Sequence, residues 1–363
     1  MYGQENVVER YNIFRVEMLI RNASDGKLYL YDMVNIKKKR VPRLGNSRTV
    51  TNSFPINVFY YIKYICQHYI ESGGKEMLQE TYTLSNGKPI PKLGLGTWFI
   101  EDNKAVEAVK EAVKAGYRLI DTAQAYGNEC GVGEGVRTCG VAREELFVSS
   151  KVAAEHKTYE EAKAGIDKTL ETMGLDYLDL MIIHSPQPWD KVNQSSDRYV
   201  EGNRAAWRAL EDAYKEGKLK AIGVSNFQIG DIESLVEIAE IKPMVNQILL
   251  HISNTPLELV EYCQKNGITV EAYSPIAHGE ILNQPEIKAI ADKYSVTVAQ
   301  LCIRYTIQLG TVSLPKTANP EHMKSNSQVD FEISDEDMKI LKNFKKIESY
   351  GESGIFPVYG GKM

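Results

Sequence analysis

Cysteine is scarce and scattered here: five residues, Cys66, Cys130, Cys139, Cys263 and Cys302, in a chain of 363, with no paired spacing. An odd, dispersed set argues against a disulfide framework and reads as buried thiols in a reducing cytosol. Long apolar runs are missing as well. The most apolar stretch, Phe54 to Cys66, is interrupted by Asn57 and Lys63, and it falls short of the roughly 20 apolar residues that a spanning helix needs. The N-terminus, Met-Tyr-Gly-Gln-Glu-Asn, has no basic region followed by an apolar core, so it does not read as a signal peptide. Net charge is small, at -5, which gives no reason to expect nucleic acid as a general partner. The expectation is a cytosolic protein without a membrane partner.

What is present is ordinary in amount and uneven in placement. Hydrophobic residues make up 43% and charged residues 25%, as in soluble globular proteins. Residues 1–76 hold 12 Lys+Arg against 7 Asp+Glu, a net of +5, so the remainder carries -10. Such an asymmetry suggests two parts of different origin. The first part mixes a basic run, Lys37 to Arg43, with a Tyr-rich apolar piece, and neither shows a clear period. An isolated basic cluster is more often a solvated surface than a nucleic-acid patch.

From about residue 80 the pattern becomes regular. Asn86-Gly87 marks the tip of a hairpin. Strand-like runs then fall at 91–97, 117–122, 146–152, 178–184, 219–225, 244–249, 269–274 and 311–315. Amphipathic stretches separate them, such as Asn103 to Ala115, where Ala105, Val106, Val109, Ala112 and Val113 share one helical face. Similar stretches are Thr158 to Met173, Glu201 to Glu216 and Pro256 to Asn266. Eight strands alternating with helices through short connections imply a parallel sheet. That number fits a closed (β/α)8 TIM barrel of about 250 residues rather than an open doubly wound sheet. Gly131, Gly133 and Gly135 follow the second strand, but the third is misplaced for a dinucleotide fingerprint. These glycines read as a loop and helix start.

The strand ends carry chemistry. An apolar strand ends on Asp121, and Tyr126 follows five residues later in a Gly/Asn turn. Lys151 lies at the end of the next strand and His184 at the end of the one after. Singly, each has a plainer reading: a structural ion pair, a packed tyrosine, a satisfied core histidine. Together at neighbouring strand mouths they can form one proton-donating site. A carbonyl that accepts hydride builds negative charge on oxygen, which a proton donor must quench. A free tyrosine, with a pKa of about 10, is a poor acid near neutrality, and a cation beside it lowers that value. Lys151 suits that task, Asp121 can hold the ammonium, and His184 can orient the carbonyl oxygen.

These positions, with Gly94-Leu95-Gly96-Thr97-Trp98, Gly223 to Phe227, Gln247, Tyr273-Ser274-Pro275 and Leu314 to Thr317, resemble the aldo-keto reductase superfamily over residues 80–350. The likeness is strongest to bacterial reductases related to 2,5-diketogluconate and glyoxal reductases. It implies metal-free, NADPH-dependent reduction of small aldehydes and ketones by a monomer, with Tyr126 as proton donor and Asp121, Lys151 and His184 around it. It assigns Thr97, Ser225, Asn226, Gln247, Tyr273 and Ser274 to the nicotinamide and pyrophosphate, and Trp98, Trp189 and His184 to substrate. Ser225 and Asn226 have a second reading as caps of a helix from Gln228 to Ala239, and Tyr273 as barrel packing. At the adenosine end the resemblance places Lys316, Thr317, His322 and Asn326. Many relatives have Arg where this chain has His322, a group mostly neutral at pH 7, so a preference for NADPH is expected but weakened, and NADH remains possible. Barrels of this family also serve as channel-associated regulatory subunits, though a pure scaffold has no need of the four catalytic residue types. The tail Phe356 to Gly361 is placed to close over the site.

Residues 1–76 lie outside the resemblance, apart from a faint one, over Arg15 to Lys39, to the end of a phage-type nuclease-like domain. Gly73-Gly74-Lys75-Glu76-Met77 can be encoded as GGA-GGA-AAG-GAA-ATG, whose GGAGG looks like a ribosome-binding site just before an ATG. Residues 77–363 number 287, a typical single barrel with extensions. The expectation is an atypical extension over 1–76, disordered or translated from upstream DNA, ahead of a barrel over 77–363. A fused module that recruits a partner through the basic run is the alternative.

Overall fold

The computed structural model describes residues 77–347 and 349–362 in full, and nearer the N-terminus the strands within residues 7–39. The chain divides into two compact units, Met1–Tyr69 and Ile70–Met363.

The first unit contains β1 (Val7–Asn12), β2 (Arg15–Arg21), β3 (Leu28–Asp32) and β4 (Lys37–Lys39), paired antiparallel in chain order. In register, Val7 pairs with Ile20, Glu17 with Asp32 and Leu30 with Lys39. Periodicity does not predict these strands. In β2 the alternation breaks at Met18-Leu19-Ile20, three consecutive apolar residues that hide a two-residue period. Part of the basic run is β4; the rest of it, the stretch Phe54 to Cys66 and the Gly73-to-Glu76 segment lie outside the described residues.

The second unit opens with a hairpin, β5 (Thr81–Thr83) and β6 (Pro89–Pro91). Its tip is the expected Asn86-Gly87, with Gly87 at φ 84°. Asn86 Nδ2 donates to Lys220 O at 2.9 Å and the Tyr82 hydroxyl to Ile307 O at 3.0 Å. These bonds fix the hairpin to the chain entering one barrel strand and to the end of a barrel helix.

Eight parallel strands follow: β7 (Gly94–Gly96), β8 (Leu119–Asp121), β9 (Phe147–Val152), β10 (Leu180–Ile183), β11 (Ile222–Ser225), β12 (Val245–Leu249), β13 (Thr269–Tyr273) and β14 (Val312–Leu314). Each pairs with the next in chain order. The first and last strands also meet: Ser313 N donates to Lys92 O at 2.9 Å and Gly96 N to Pro315 O at 3.0 Å. With no free edge left, the sheet is a closed (β/α)8 barrel, as the alternation implied. Each strand lies inside its expected range, shortened where ladder pairing stops.

Helices α1 (Asp102–Ala115), α2 (Glu129–Thr138), α3 (Tyr159–Met173), α4 (Val200–Lys215), α5 (Ile229–Val236), α6 (Leu257–Lys265), α7 (Pro285–Lys293), α8 (Val298–Gln308), α9 (Pro320–Asn326) and α10 (Asp335–Lys342) surround or extend the barrel. Local chemistry sets their ends. Thr158 and Glu161 form a capping box at the start of α3, and Gly174, at φ 61°, ends it. Gly131, Gly133 and Gly135 sit inside α2, which bears out the helix start and corrects the loop: none of the three lies in a loop. A Cβ on Gly131 would stand 2.0 Å from Asp102 O, and one on Gly133 2.3 Å from Met173 O. Their role is close packing of α2 between α1 and α3. Among the described residues no helix is long and apolar enough to cross a membrane.

Candidate active site

Alternation along the strands puts every second side chain inside the barrel. On β9 these include Ser149 and Lys151, and on β13 Glu271 and Tyr273. Asp121 ends β8 and Gln247 lies in the middle of β12. Most barrel interiors of this kind are packed with branched apolar residues; this one has a polar layer toward the strand ends. Asp121 is its hub. Asp121 Oδ2 accepts from Lys151 Nζ at 2.7 Å, while Oδ1 accepts from Ser149 Oγ at 3.0 Å and Gln247 Nε2 at 2.9 Å. Lys151 also donates to Thr122 O at 2.8 Å. Its side chain is 1% exposed, so the ammonium survives burial only because these acceptors surround it.

Tyr126 rises from a short 3-10 turn, Gln124–Tyr126, that Gly127 ends at φ 66°. Lys151 Nζ lies 4.8 Å from its ring centroid. The His184 ring stands edge-on to it at 5.6 Å, and Trp189 stands edge-on to His184 at 5.0 Å. The four expected catalytic residues therefore converge on one place.

The charge states follow from burial and neighbours. Burial pushes the Tyr126 hydroxyl above its ordinary value, and Lys151 opposes that without overcoming it. This differs from the expectation of a net lowering, because desolvation of the phenolate outweighs the cation. The tyrosine thus stays protonated and ready to donate. For Lys151 burial works to lower the pKa, but the Asp121 carboxylate opposes it and the ammonium is held above its usual range. Burial first, and then Lys151, push His184 well below its usual value, so the imidazole is neutral. Its Nδ1 is buried with no hydrogen-bond partner. A bare lone pair is tolerated there more easily than a stranded N–H, which assigns the ring proton to Nε2.

Two adjoining cavities meet at this cluster and share Trp98, Tyr126 and Tyr273. One, of about 180 Å³, is walled by His184, Trp189, Phe356 and Val358 among others. Asn193 in the loop after β10 donates to Pro357 O at 2.7 Å, so that loop and the C-terminal tail are joined above the cavity. Trp98 packs edge-on against Phe356 at 5.1 Å. The other cavity, about 270 Å³, runs past Thr97, Asp121 and Ser274 to Gly279 and Lys316.

The remaining sequence-assigned residues divide by what already engages them. Thr97 donates to Asp121 O at 2.9 Å. Ser225 Oγ donates to Gln247 O at 2.8 Å, and Asn226 Nδ2 donates to His184 O at 3.1 Å and Ser225 Oγ at 3.0 Å. Tyr273 donates to Asn226 Oδ1 at 2.8 Å. The capping alternative for Ser225 and Asn226 does not hold: Gln228 and Asp231 form the capping box of α5. Asn226 and Ser274 have left-handed backbones, φ 61° and 50°, a strain that clusters at functional sites. Ser274 and His278 both bond the Tyr359 hydroxyl, at 2.7 and 2.6 Å. Lys316 and His322 are exposed, while Thr317 and Asn326 are buried. The sequence names Tyr359 only within the tail Phe356 to Gly361, and gives His278 and Glu271 no role of their own. A charged residue on the inward side of an apolar strand was the signal for Glu271; the other two meet across 81 residues.

The site is thus a neutral-histidine, tyrosine and lysine cluster at the mouth of a barrel, beside two adjoining cavities of about 180 and 270 Å³. Half-buried Tyr273 and Trp98 offer flat aromatic faces and Lys316 a cation at the far end, a donor set that fits a nicotinamide dinucleotide. Known proteins agree. The Aldo/keto reductase family model matches residues 92–346. The glyoxal reductase of Bacillus subtilis (strain 168) is 45% identical over 276 residues, 76% of this chain and 96% of that protein. An aldo/keto reductase structure from Brucella melitensis superposes with a TM-score of 0.67 at 38% identity, covering 72% of this chain and 98% of that one. An aldo-keto reductase complexed with NADPH superposes with a TM-score of 0.68 at 32% identity, covering 75% and 89%. The chain belongs to the aldo/keto reductase family and is an NAD(P)H-dependent oxidoreductase.

Proposed function

We propose that this chain reduces small aldehydes and ketones to alcohols with NADPH, Tyr126 giving the proton. The observation that carries the reading is the single cluster in which Lys151 lies 2.7 Å from Asp121 and 4.8 Å from the Tyr126 ring, with His184 edge-on to that ring. Bound nicotinamide supplies hydride to the carbonyl carbon. As negative charge grows on the carbonyl oxygen, His184 Nε2–H and the Tyr126 hydroxyl donate to it. Tyr126 then releases its proton, and Lys151 stabilises the phenolate left behind. Asp121 keeps the ammonium in place throughout. The walls Trp98, Trp189 and Phe356 exclude water and favour an apolar substituent on the substrate. Because a relative is named a glyoxal reductase, small dicarbonyls lead the panel of substrates to be assayed, with simple aldehydes and ketones beside them.

Within this reading Tyr273 packs on the nicotinamide, Ser225, Asn226 and Gln247 surround its carboxamide, Ser274 and Thr97 border the pyrophosphate, and Lys316, Thr317, His322 and Asn326 surround the 2'-phosphate. Exposed His322 is a weaker phosphate partner than a guanidinium. His322→Arg is expected to tighten NADPH about tenfold, the scale of a charge-assisted hydrogen bond, and leave NADH nearly unchanged. Fluorescence titration of both cofactors checks it; equal effects on the two place His322 away from the 2'-phosphate.

The reading also makes 77–363 the catalytic unit. Met77 and Leu78 are buried in the core of the second unit, at 1% and 4% exposure, and every assigned residue lies beyond them. A chain beginning at Met77 is expected to keep the melting temperature of the barrel and full turnover. Loss of more than half the turnover in that shortened chain gives residues 1–76 a part in catalysis.

A further inference from the structure

Glu271 is the one buried carboxylate of the barrel interior that the proposed chemistry leaves unused. It sits in the middle of β13, two residues before Tyr273 and on the same face, and it is 0% exposed. Register sets it beside Gln247 on β12. The two N–H groups of Gln247 Nε2 are both taken: one reaches Asp121 Oδ1 at 2.9 Å, the other Glu271 Oε2 at 2.8 Å. Glu271 Oε1 is buried with no partner. A single amide thus bridges two carboxyl groups, and one ammonium, Lys151, sits within the same cluster.

We propose that Glu271 is a positioning residue for carbonyl reduction: through Gln247 it holds Asp121 and Lys151 against Tyr126, and its own charge tunes the acidity of that tyrosine. The inference rests on the reading of Tyr126 as proton donor. Two consequences follow from the geometry. With both Gln247 N–H groups committed, the amide cannot rotate, and only its carbonyl oxygen is free to accept from a ligand in the cavity that Gln247 lines. A charged Glu271 would also place a second carboxylate near the one that pairs with Lys151, and a like charge in a dry interior disfavours its ionisation.

The charged groups acting on Glu271 are Asp121 on β8 and Lys151 on β9. β12 contributes the neutral Gln247, and β14, Val312–Leu314, carries no titratable side chain. Burial, then Asp121, raise the Glu271 pKa to about 7. Below that pH the carboxyl is neutral. Above it a second negative charge appears near Lys151, the phenolate becomes harder to form, and the proton donor weakens. The sign for stability is the same. A carboxyl whose folded pKa exceeds its ordinary 4.5 carries no penalty below that value and its full penalty above the folded one. Stability therefore falls as pH rises from about 4.5 to about 7.

Glu271→Gln keeps the shape and the acceptor for Gln247 but cannot ionise. The test is kcat for reduction from pH 5.5 to 9 for wild type, Glu271→Gln and Tyr126→Phe, with melting temperatures over pH 4.5 to 8. Wild-type kcat is expected to fall about threefold to tenfold through neutrality, and that step is expected to vanish in Glu271→Gln. The wild-type melting temperature is expected to fall relative to the variant as pH rises. A kcat profile for Glu271→Gln that keeps the wild-type step, with Tyr126→Phe inactive, overturns the role of Glu271 alone. An active Tyr126→Phe overturns the proton-donor reading and this inference with it. Should Glu271→Gln not fold, Glu271→Thr, which likewise cannot ionise, is measured instead; a wild-type pH step kept there overturns the proposal equally.

Discussion

Replacing Tyr126 by Phe leaves a protein that folds and binds NADPH but turns over ~10²–10⁴-fold more slowly, the usual loss when a general acid is removed. The ring keeps its edge-on contact with His184 and its place beside Lys151, so packing changes little. What disappears is the one hydroxyl of the cluster that burial keeps protonated next to a fixed cation. Fluorescence titration with NADPH separates binding from chemistry: affinity within about twofold of wild type, with kcat reduced, is the expected pattern. A variant keeping more than about half of wild-type turnover removes Tyr126 from the chemistry.

Lys151→Met is expected to damage stability and activity together. The side chain is 1% exposed and donates to Asp121 at 2.7 Å and to Thr122 O at 2.8 Å. Taking one partner from a buried pair leaves the other charge uncompensated, at a cost of roughly 3–5 kcal/mol. The Lys151 pKa is held above its ordinary 10.5, so the stability it contributes is fully present below that value and is lost only as pH rises through the folded one. At neutral pH the whole loss is therefore visible. Activity falls a further ~10²–10³-fold relative to folded protein, because the phenolate loses its counter-charge. Adding Asp121→Asn removes the stranded carboxylate: denaturant melts are expected to recover most of the stability, while turnover stays low. Recovery of turnover along with stability makes the pair structural only.

Much of this was legible beforehand because parallel strands buried on both faces read as short apolar runs, and their polar last residues stand out. Asp121, Lys151 and His184 are such residues, and the family resemblance gave them roles. Other features depend on quantities that residue order does not carry. Whether burial or Lys151 wins at Tyr126 is a matter of solvent exposure, and burial wins. Gln228, not Ser225 or Asn226, caps α5, because the strand end turns aside through a left-handed Asn226 first. Tyr359 reaches Ser274 across 85 residues, with no local pattern to signal it. The strands of residues 7–39 escaped periodicity because consecutive apolar residues blur a two-residue period.

In the proposed reaction hydride moves from NADPH to a carbonyl with Tyr126 as the acid. The most direct test mixes purified full-length protein with NADPH and a panel of dicarbonyls, aldehydes and ketones, following NADPH absorbance and alcohol product together. Loss of absorbance matched one-to-one by alcohol is expected for at least one small dicarbonyl or aldehyde, with no such loss for Tyr126→Phe on the same timescale. Stable absorbance with every carbonyl, in protein shown by titration to bind NADPH, would contradict that reaction.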